Sequence, residues 1–439
     1  MNMNLNRLDP LSRRHFMEKV AKTALGVTLL PVGSRAVQAA AGNGPGFGKA
    51  KHVIYLFMEG GMTHIDTFDP KTGATKGAKD PIKAKAGSGN LDYLGGYLPK
   101  LAEIGNKISI VRSMSSKTGV HESGRYIMRT GYEPRGTIVH PSLGAWGSHF
   151  LGRIKDVVLP DSVTVGNGRH PGAGFFPPAL SPIPITSAES GLQNIRPTTT
   201  EDNFQKRVAL MDEFDSAFRK KFTASTDVKA YTEFYGETMK LLKSEDLKAF
   251  DISQEPAAVR EKYGAGGFGS GCLLARRLVE HGVRFVEVQL GGWDMHNTID
   301  TAMTNNGNTL DTAFAALIED LESKGLLEST LICLGSEFGR TPDVNENDGR
   351  DHYPLAYSTV FAGAGTKGGY VYGSTDKDGR RPADKQASPQ DFVSTIGHAM
   401  LGKPGTKWWW AKLKPGIWLT GFGIRLLPHG ILTILMRCG

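Results

Sequence analysis

Four side chains with metal-binding chemistry follow two apolar, strand-like runs of the sequence. They are Asp294, His296, Glu337 and His352. The first two come just after the run at 285–290, the third comes just after the run at 330–334, and the fourth lies on a later polar stretch. Ligands of open α/β sheets bind beyond the carboxyl ends of the strands, so the pattern predicts that the four share one edge. Carboxylates and imidazoles together suit one or two divalent cations, with zinc, calcium and magnesium as candidates.

Each of these residues also has an ordinary interpretation. Asp294 and Glu337 can be turn or cap residues, and the two histidines can be surface groups. For any one residue taken alone, this interpretation is favoured. The repetition of donor side chains at the ends of successive strands favours a metal site for the set.

A similar pattern opens the body of the chain. The strand-like run 52–58 leads into a glycine turn, and Asp66 and Asp69 follow. A buried strand, a glycine turn and carboxylates repeat the order seen at the first site. Asp66 and Asp69 are therefore candidate metal ligands, with Glu59 or His64 as further candidates.

A third candidate segment is predicted to be helical. Residues 120–131 place His121 and Arg125 one turn apart on one helix face. A histidine at a helix N-terminus can meet an anion, because free N–H groups and the helix dipole favour negative charge there. His121 is a candidate metal ligand or general base. The alternative is a capped helix with no chemical role.

The elements that would position these residues alternate between strand and helix. Apolar residues between 310 and 321 recur at helical spacing, which predicts an amphipathic helix between the two donor-bearing strands. Ser388, Pro389 and Asp391 predict the start of a final helix. Residues 160–262, first rich in Gly and Pro and then charged and helical, are predicted to form an insertion or cap. The alternation predicts an α/β fold.

Composition narrows the possible partners. Residues 1–41 carry a net charge of +4 and residues 403–439 a net charge of +6, which leaves −2 for residues 42–402 out of the total of +8. The body lacks the basic footprint of a nucleic-acid-binding protein, so no nucleic-acid partner is expected. The GxGxxG pattern at 264–269 follows a helix-like segment rather than a strand, which argues against a dinucleotide site.

The two ends of the chain differ from its body. Arg13 and Arg14 precede a short apolar run and a small-residue cleavage site, a pattern that resembles a twin-arginine export signal. Residues 1–41 are therefore predicted to be a signal peptide, which places the protein in the periplasm or outside the cell. The alternative is a basic disordered start. Residues 403–439 form an atypical basic, Trp-rich tail, for which an out-of-frame or divergent end is favoured over a membrane-surface segment. Stable membrane insertion of the mature body is not expected.

Over residues 50–402 the motifs together resemble DUF1501, a bacterial family of unknown function whose members are often called sulfatase-like. The motifs are Gly60-Gly61 with Asp66 and Asp69-Pro70-Lys71, Gly292-Trp293-Asp294-Met295-His296, Ser336-Glu337-Phe338-Gly339-Arg340-Thr341-Pro342, and Gly349-Arg350-Asp351-His352. That family is similar to the alkaline-phosphatase and sulfatase superfamily. The resemblance implies a doubly wound, mostly parallel sheet sandwiched by helices, with irregular and helical insertions and one or two metal ions at the strand ends.

The resemblance also implies roles for individual residues. Metal-binding positions of the superfamily are matched or occupied by Asp294, His296, Glu337 and His352. His121 stands at the nucleophile position, where sulfatases need an oxidised Cys or Ser and phosphatases use Ser or Thr. A histidine can bind metal or act as a base, but it cannot become formylglycine. A metal-activated water could attack a phosphate or sulfate ester instead, while Arg125 or Arg340 steadies the anionic oxygens.

Two functional hypotheses remain open at this point. The first is a periplasmic, metal-dependent hydrolase of phosphate or sulfate esters, acting on a small molecule or a polysaccharide. The second is a non-catalytic metal-binding or structural relative of such enzymes. The residue at position 121 is the feature that separates the two. The substrate, the metal and the oligomeric state do not follow from the sequence.

Overall fold

The computed structural model describes residues 48–401, apart from 194, 196–198, 223–227, 229–231, 233–235 and 237. The predicted signal peptide at 1–41 and the predicted tail at 403–439 lie outside the described residues.

Fourteen strands lie in the described part of the chain. They are β1 (His52–Met58), β2 (Ile82–Lys83), β3 (Tyr93–Leu94), β4 (Ile108–Met114), β5 (Ser162–Val165), β6 (Ile183–Ile185), β7 (Phe285–Leu290), β8 (Thr330–Ser336), β9 (Gly339–Arg340), β10 (His352–Tyr353), β11 (Tyr357–Gly363), β12 (Tyr370–Tyr372), β13 (Ser374–Thr375) and β14 (Pro382–Asp384). Eight of them form one sheet in the order β12-β4-β11-β8-β1-β7-β5-β6. Within this sheet β11 runs antiparallel to its neighbours β4 and β8, and the other pairs are parallel.

Helices pack on both faces of this sheet, and the described part of the chain has eight α-helices. They are α1 (Pro99–Glu103), α2 (His121–Thr130), α3 (Leu143–Leu151), α4 (Glu201–Lys221), α5 (Ala257–Lys262), α6 (Gly267–Glu280), α7 (Ile299–Ser323) and α8 (Pro389–Leu401). Helices α1, α6 and α7 contribute Leu101, Leu274 and Phe314 to the apolar core on one face. Helices α2, α3 and α8 contribute Met128, Leu143 and Phe392 to the core on the other face. This is the doubly wound α/β architecture that the resemblance implies.

Strand β1 lies at the centre of the sheet because both of its faces are apolar. Successive side chains of a strand point to opposite faces. One core receives Ile54, Leu56 and Met58, and the other receives Val53, Tyr55 and Phe57. A strand buried on both faces reads as a continuous apolar run, which is how 52–58 appears in the sequence.

The register of the three central strands brings their carboxyl ends to one level. Met58 of β1 pairs with Leu290 of β7 on one side and with Ser336 of β8 on the other. The chain therefore leaves all three strands at the same edge. The Ser336 hydroxyl also donates to the Met58 carbonyl at 2.6 Å and accepts from the Met62 amide at 2.8 Å, which ties the turn after β1 to the end of β8.

Several predicted elements form as expected. Helix α7 connects β7 to β8, and the amphipathic stretch at 310–321 is its buried half. Ser388 and Asp391 form the predicted capping box, in which the Ser388 amide donates to the Asp391 carboxylate at 2.8 Å. Within the predicted insertion at 160–262, β5 and β6 extend the main sheet at one edge. Among the described residues, no helix combines the length and the apolar character needed to cross a bilayer.

Candidate metal centre

Three donor side chains converge beyond the ends of β1, β7 and β8. A nitrogen of His121, an oxygen of Asp294 and a nitrogen of His352 lie within 4.8 Å of one another. His121 is the first residue of α2, Asp294 lies on the segment after β7, and His352 lies on β10, which pairs with β9. Residues from three parts of the chain thus meet at the edge where a ligand of an α/β sheet is expected.

The segment after β7 positions its donors by alternation. Trp293 and Met295 are buried in the core, with 0% and 3% of their surface exposed. Asp294 and His296 lie between and after them and are half exposed. Because the two apolar side chains anchor the segment, the two polar side chains face the opposite way, toward α2 and β10.

The Oδ1 atom of Asp294 is the meeting point of the cluster. The Nε2 atoms of His296, His352 and His121 lie 3.0, 3.2 and 3.4 Å from it. The guanidinium of Arg340 also donates to this oxygen. One carboxylate oxygen therefore faces three imidazole nitrogens and a permanent cation.

Each histidine of the cluster uses its other ring nitrogen to contact an acceptor. His121 Nδ1 lies 2.8 Å from Glu337 Oε1. His296 Nδ1 lies 2.8 Å from Asp351 Oδ1. His352 Nδ1 lies 2.8 Å from the Gly119 carbonyl oxygen. An acceptor at Nδ1 places the proton there, so each neutral ring presents the lone pair of Nε2 to the centre of the cluster.

Two of these lone pairs face each other. The Nε2 atoms of His296 and His352 are 3.0 Å apart. Nη1 of Arg340 lies 3.3 Å from His296 Nε2, and a guanidinium can only donate, so His296 accepts at that atom. His352, with the Gly119 carbonyl at its Nδ1, directs Nε2 to the same place. A shared cation is the chemical partner that such an arrangement suits.

Glu337 lies behind His121. Its side chain is fully buried, and Oε1 accepts from His121 Nδ1 and from the Gly60 amide at 3.0 Å. The hydrogen bond with Glu337 raises the pKa of His121, and burial opposes that rise only in part. Glu337 was expected to be a metal ligand; in this structure its Oε1 contacts His121, where it can orient that ring and hold the proton on Nδ1.

Arg340 is buried beneath Asp294 rather than open to a substrate. Its side chain is 0% exposed, Nε donates to the Gly61 carbonyl at 3.0 Å, and Nη1 donates to the Arg350 carbonyl at 2.9 Å. Nη2 donates to the Gly60 carbonyl and to Asp294. Burial opposes the charge of Asp294, but its contacts with Arg340 outweigh this and lower its pKa to about 2. Arg340 was expected to hold substrate oxygens; its contacts in this structure fix Asp294 in place.

Asp66, expected to be a metal ligand, lies inside the protein in an ion pair. Its Oδ2 atom accepts from Arg350 Nε at 2.8 Å and from the Thr63 hydroxyl at 2.7 Å, and both charged side chains are fully buried. Asp69 is likewise buried and accepts from Lys71 Nζ at 3.0 Å. A carboxylate committed to a buried arginine belongs to the frame of the site, because desolvating it without that partner would be costly.

Arg125 lies one turn after His121 on α2, as predicted, and donates through Nη1 to Glu59. Both side chains are partly exposed. Arg125 therefore remains available to an anionic group near the cluster, since a guanidinium carries five N–H donors.

Two glycines allow the close approaches on which the cluster depends. Gly60 has φ of +123°, and a Cβ there would lie 2.4 Å from the Asp294 amide nitrogen. A Cβ on Gly124 would lie 2.8 Å from the Glu337 Cβ. The first glycine lets the turn after β1 touch the segment after β7, and the second lets α2 pack onto the end of β8.

Sequence reasoning missed two supporting residues. Asp351 orients His296, and Asn345 Nδ2 bonds both the His296 carbonyl and Asp351 Oδ1 at 3.1 Å. The signal was present, because Asp351 directly precedes His352 in the sequence. A carboxylate beside a ligand histidine is a common second partner of a neighbouring imidazole.

Comparison with known proteins places the chain in a family. The sequence profile described as "Protein of unknown function (DUF1501)" matches residues 50–405. No protein with a curated description matches the chain.

Similar solved structures include enzymes of the sulfatase and phosphatase kind. A PsFucS1 sulfatase from Pseudoalteromonas sp. is 14% identical, with 90% of this chain and 72% of that chain covered and a TM-score of 0.35. The alkaline phosphatase from the Antarctic bacterium TAB5 is 12% identical, with 80% and 98% covered and a TM-score of 0.35. The lipoteichoic acid synthase LtaP from Listeria monocytogenes is 10% identical, with 88% and 78% covered and a TM-score of 0.35. By its sequence, which matches the profile over most of its length, the chain belongs to the DUF1501 family.

Proposed function

We propose that this protein is a metal-dependent hydrolase of phosphate or sulfate esters. The observation that carries the proposal is the convergence of three imidazole Nε2 atoms on the Asp294 carboxylate, each ring with an acceptor at Nδ1. Histidine ligands backed by carboxylates or backbone carbonyls are the usual surroundings of a catalytic metal.

Zinc is the ion that best fits these donors. Calcium and magnesium prefer oxygen ligands, whereas zinc binds imidazole nitrogen together with carboxylate oxygen. His121, Asp294 and His352 would hold it, and His296 is close enough to serve as a further ligand. When bound, such an ion supplies Lewis-acid chemistry and lowers the pKa of a coordinated water.

The surrounding residues keep the donors in the required state. Glu337 and Asp351 hold protons on the Nδ1 atoms of His121 and His296, which leaves the Nε2 lone pairs available. Arg340 keeps Asp294 ionised and fixed in place. Phe338 packs on the rings of His121 and His352, at centroid distances of 5.0 and 4.9 Å, and limits their rotation.

Arg125 supports an anionic ester as the substrate. It comes four residues after His121, so it stands about 6 Å farther along the axis of α2. A guanidinium at that distance can hold the non-bridging oxygens of a phosphate or sulfate group. His121, at the nucleophile position, acts here as a metal ligand, and water supplies the attacking oxygen.

A second candidate is a metal-binding protein without turnover. The specific observation in its favour is that position 121 carries an imidazole in place of the hydroxyl or oxidised side chain that the family resemblance implies for the nucleophile. The metal centre would then serve binding or stability alone.

The test is hydrolysis of an aryl phosphate and an aryl sulfate by chelator-treated protein to which zinc, magnesium or calcium is returned. We expect turnover of one ester with zinc, and its loss in His352→Ala. As a control, His281→Ala removes a half-exposed histidine that pairs with Asp246 at 3.9 Å and lies outside the cluster, and it should retain activity. Stoichiometric zinc binding without turnover of either ester would favour the second candidate.

A further inference from the structure

A cleft lined by both polar and apolar groups opens beside the metal centre at the same edge of the sheet. It has a volume of about 570 Å³, within the range of roughly 300–1,000 Å³ typical of small-molecule sites. Its walls are the loop after β5, the loop after β6, the start of α6 and the ends of β1 and β7. The residues that line it include Glu59, Arg125, Asn167, Glu189, Gly267 and Gln289.

Several residues that line the cleft are close in sequence to residues of the metal centre. Glu59 directly precedes Gly60, whose amide donates to Glu337. Arg125 lies one turn after His121 on α2, and Gly291, which also lines the cleft, lies three residues before Asp294. A molecule with its reacting group at the metal would therefore extend its remaining part into this cleft.

The charges that line the cleft are balanced and paired. Two acids, Glu59 and Glu189, face two arginines, Arg125 and Arg169. Arg125 is paired with Glu59, and Arg169 lies 3.8 Å from Glu122. No excess of positive charge is left among these residues to select a second strongly anionic group.

The start of α6 does not provide an anion site either. Gly267 is the first residue of the helix and lines the cleft. Hydrogen bonds from Ser187 and Ser270 to Glu189 lower the pKa of that carboxyl, so its charge already lies beside the first turn of the helix. A negative ligand would meet that carboxylate.

The loop after β5 is held in shape by a buried network. The Gly168 amide donates to Gln289 Oε1 at 2.7 Å, and Gln289 Nε2 donates to Glu287 at 3.2 Å. Arg129, paired with Glu287, donates from Nη1 to the Arg169 carbonyl at 3.0 Å. A wall fixed in this way is formed before a ligand binds, which lowers the entropic cost of binding.

We propose that this cleft binds an uncharged, hydroxyl-rich group, a sugar or polyol unit that carries the ester. The proposal rests on the hydrolase function given above and specifies its substrate class. A hydroxyl both donates and accepts, so adjacent hydroxyls match carboxylates, a guanidinium and amides that alternate around one cleft. Carboxylates and guanidinium groups have more acceptor and donor sites than their present partners use, so they can bond to hydroxyls without giving up those partners.

The test uses the full chain in EDTA and a panel of neutral mono-, di- and trisaccharides, with inorganic sulfate and phosphate as anionic probes. Saturation-transfer NMR would report binding. We expect at least one neutral saccharide to bind without metal, and to stay bound when sulfate or phosphate is added, because the sugar and the ester group occupy different positions. Binding by none of the saccharides, or displacement of the bound saccharide by either anion, would overturn the proposal.

Variants that fill the cleft make the test specific. A Cβ at Gly267 or Gly291 meets no atom within 4 Å, so Gly267→Phe and Gly291→Phe each place a ring there without a backbone clash. Each should weaken saccharide binding at least tenfold. Gly73→Phe, at another open position, is the matched control and should bind as the wild type does. Equal binding by all four proteins would contradict the assignment of the cleft.

The outcome is separable from that of the proposed function. Zinc titration of the same preparations reports on the metal centre. The cleft-filling substitutions change none of its proposed ligands. If the protein binds a saccharide but has no affinity for zinc, the hydrolase proposal is refuted and the saccharide-binding proposal is supported. If the protein binds zinc and hydrolyses an aryl ester but binds no saccharide, the hydrolase proposal is supported and the saccharide-binding proposal is refuted.

Discussion

Asp294 and the three histidines around it bring one carboxylate oxygen and three imidazole Nε2 atoms to a single point, an arrangement that suits a shared cation. The Nε2 atoms of His296 and His352, each turned inward by an acceptor at Nδ1, are 3.0 Å apart. Surface histidines with no chemical role would not need such fixed orientations. At the residue scale, the function therefore depends on the supporting acceptors as much as on the donors themselves.

Replacement of His352 by Ala tests a single donor. Zinc affinity should fall by more than the roughly 10–100-fold that mutation of an outer-shell partner costs. The unfolding free energy of the metal-free protein should change by less than about 1 kcal/mol, because the side chain is partly exposed and outside both apolar cores. Chelator competition and chemical denaturation measure the two quantities. An unchanged zinc affinity would exclude His352 as a ligand.

Glu287 provides a pH-dependent prediction away from the metal. Burial would raise its pKa, but Arg129 and His170 outweigh burial and lower the pKa to about 2. A depressed pKa stabilises the fold above the unfolded value near 4.5 and loses that contribution as the pH falls toward 2. The loss should be about 3 kcal/mol. Denaturation between pH 5 and 2 measures it, and Glu287→Gln should show a shallower pH dependence together with lower stability at neutral pH.

At the scale of elements, the segment 341–351 carries Arg350, Asp351 and the approach to His352. The buried pair of Arg350 and Asp66 fixes this segment to the turn after β1. Arg350 Nη1 also donates to the Thr341 carbonyl at 3.0 Å, which closes the segment on itself. The pair thus acts on the metal centre through the loop rather than through coordination.

Asp66→Asn separates these two roles. Removing one charge of a buried pair should destabilise the protein by about 3–5 kcal/mol. Amide hydrogen exchange in 341–351 should rise, whereas the zinc stoichiometry should stay the same because no ligand is lost. If Asp66→Asn loses zinc while amide hydrogen exchange in 341–351 stays at the wild-type rate, Asp66 would instead be a metal ligand. Asp343→Asn, in an exposed pair with Arg380, is the matched control.

The sequence predicts the elements better than it predicts the partners of charged groups. Apolar periodicity identified β1, β7, β8 and α7, because the spacing of apolar residues along an element follows from which of its faces are buried. It also brought Asp294, His296 and His352 to one edge. It could not show that Asp66 and Glu337 face inward, because the choice between a metal and a protein partner depends on residues distant in the chain.

At the scale of the whole molecule, the predicted export signal concerns residues outside the described structure. We propose that the folded protein reaches the periplasm by twin-arginine translocation, because Arg13 and Arg14 precede a weak apolar run. Replacing both arginines with Lys should leave the precursor in the cytoplasm. Cell fractionation and immunoblotting measure this, and normal export of the double variant would remove the basis of the prediction.

The coordination of zinc is the property that tests the central claim most directly. X-ray absorption at the zinc edge, on full-length protein loaded with one equivalent of zinc, reports the ligands themselves. The arrangement of His121, Asp294, His296 and His352 predicts nitrogen and oxygen ligands at about 2.0–2.2 Å, with the outer-shell scattering of at least two imidazoles. In His352→Ala one imidazole should be lost. A spectrum without imidazole scattering, or one that His352→Ala leaves unchanged, would contradict the account.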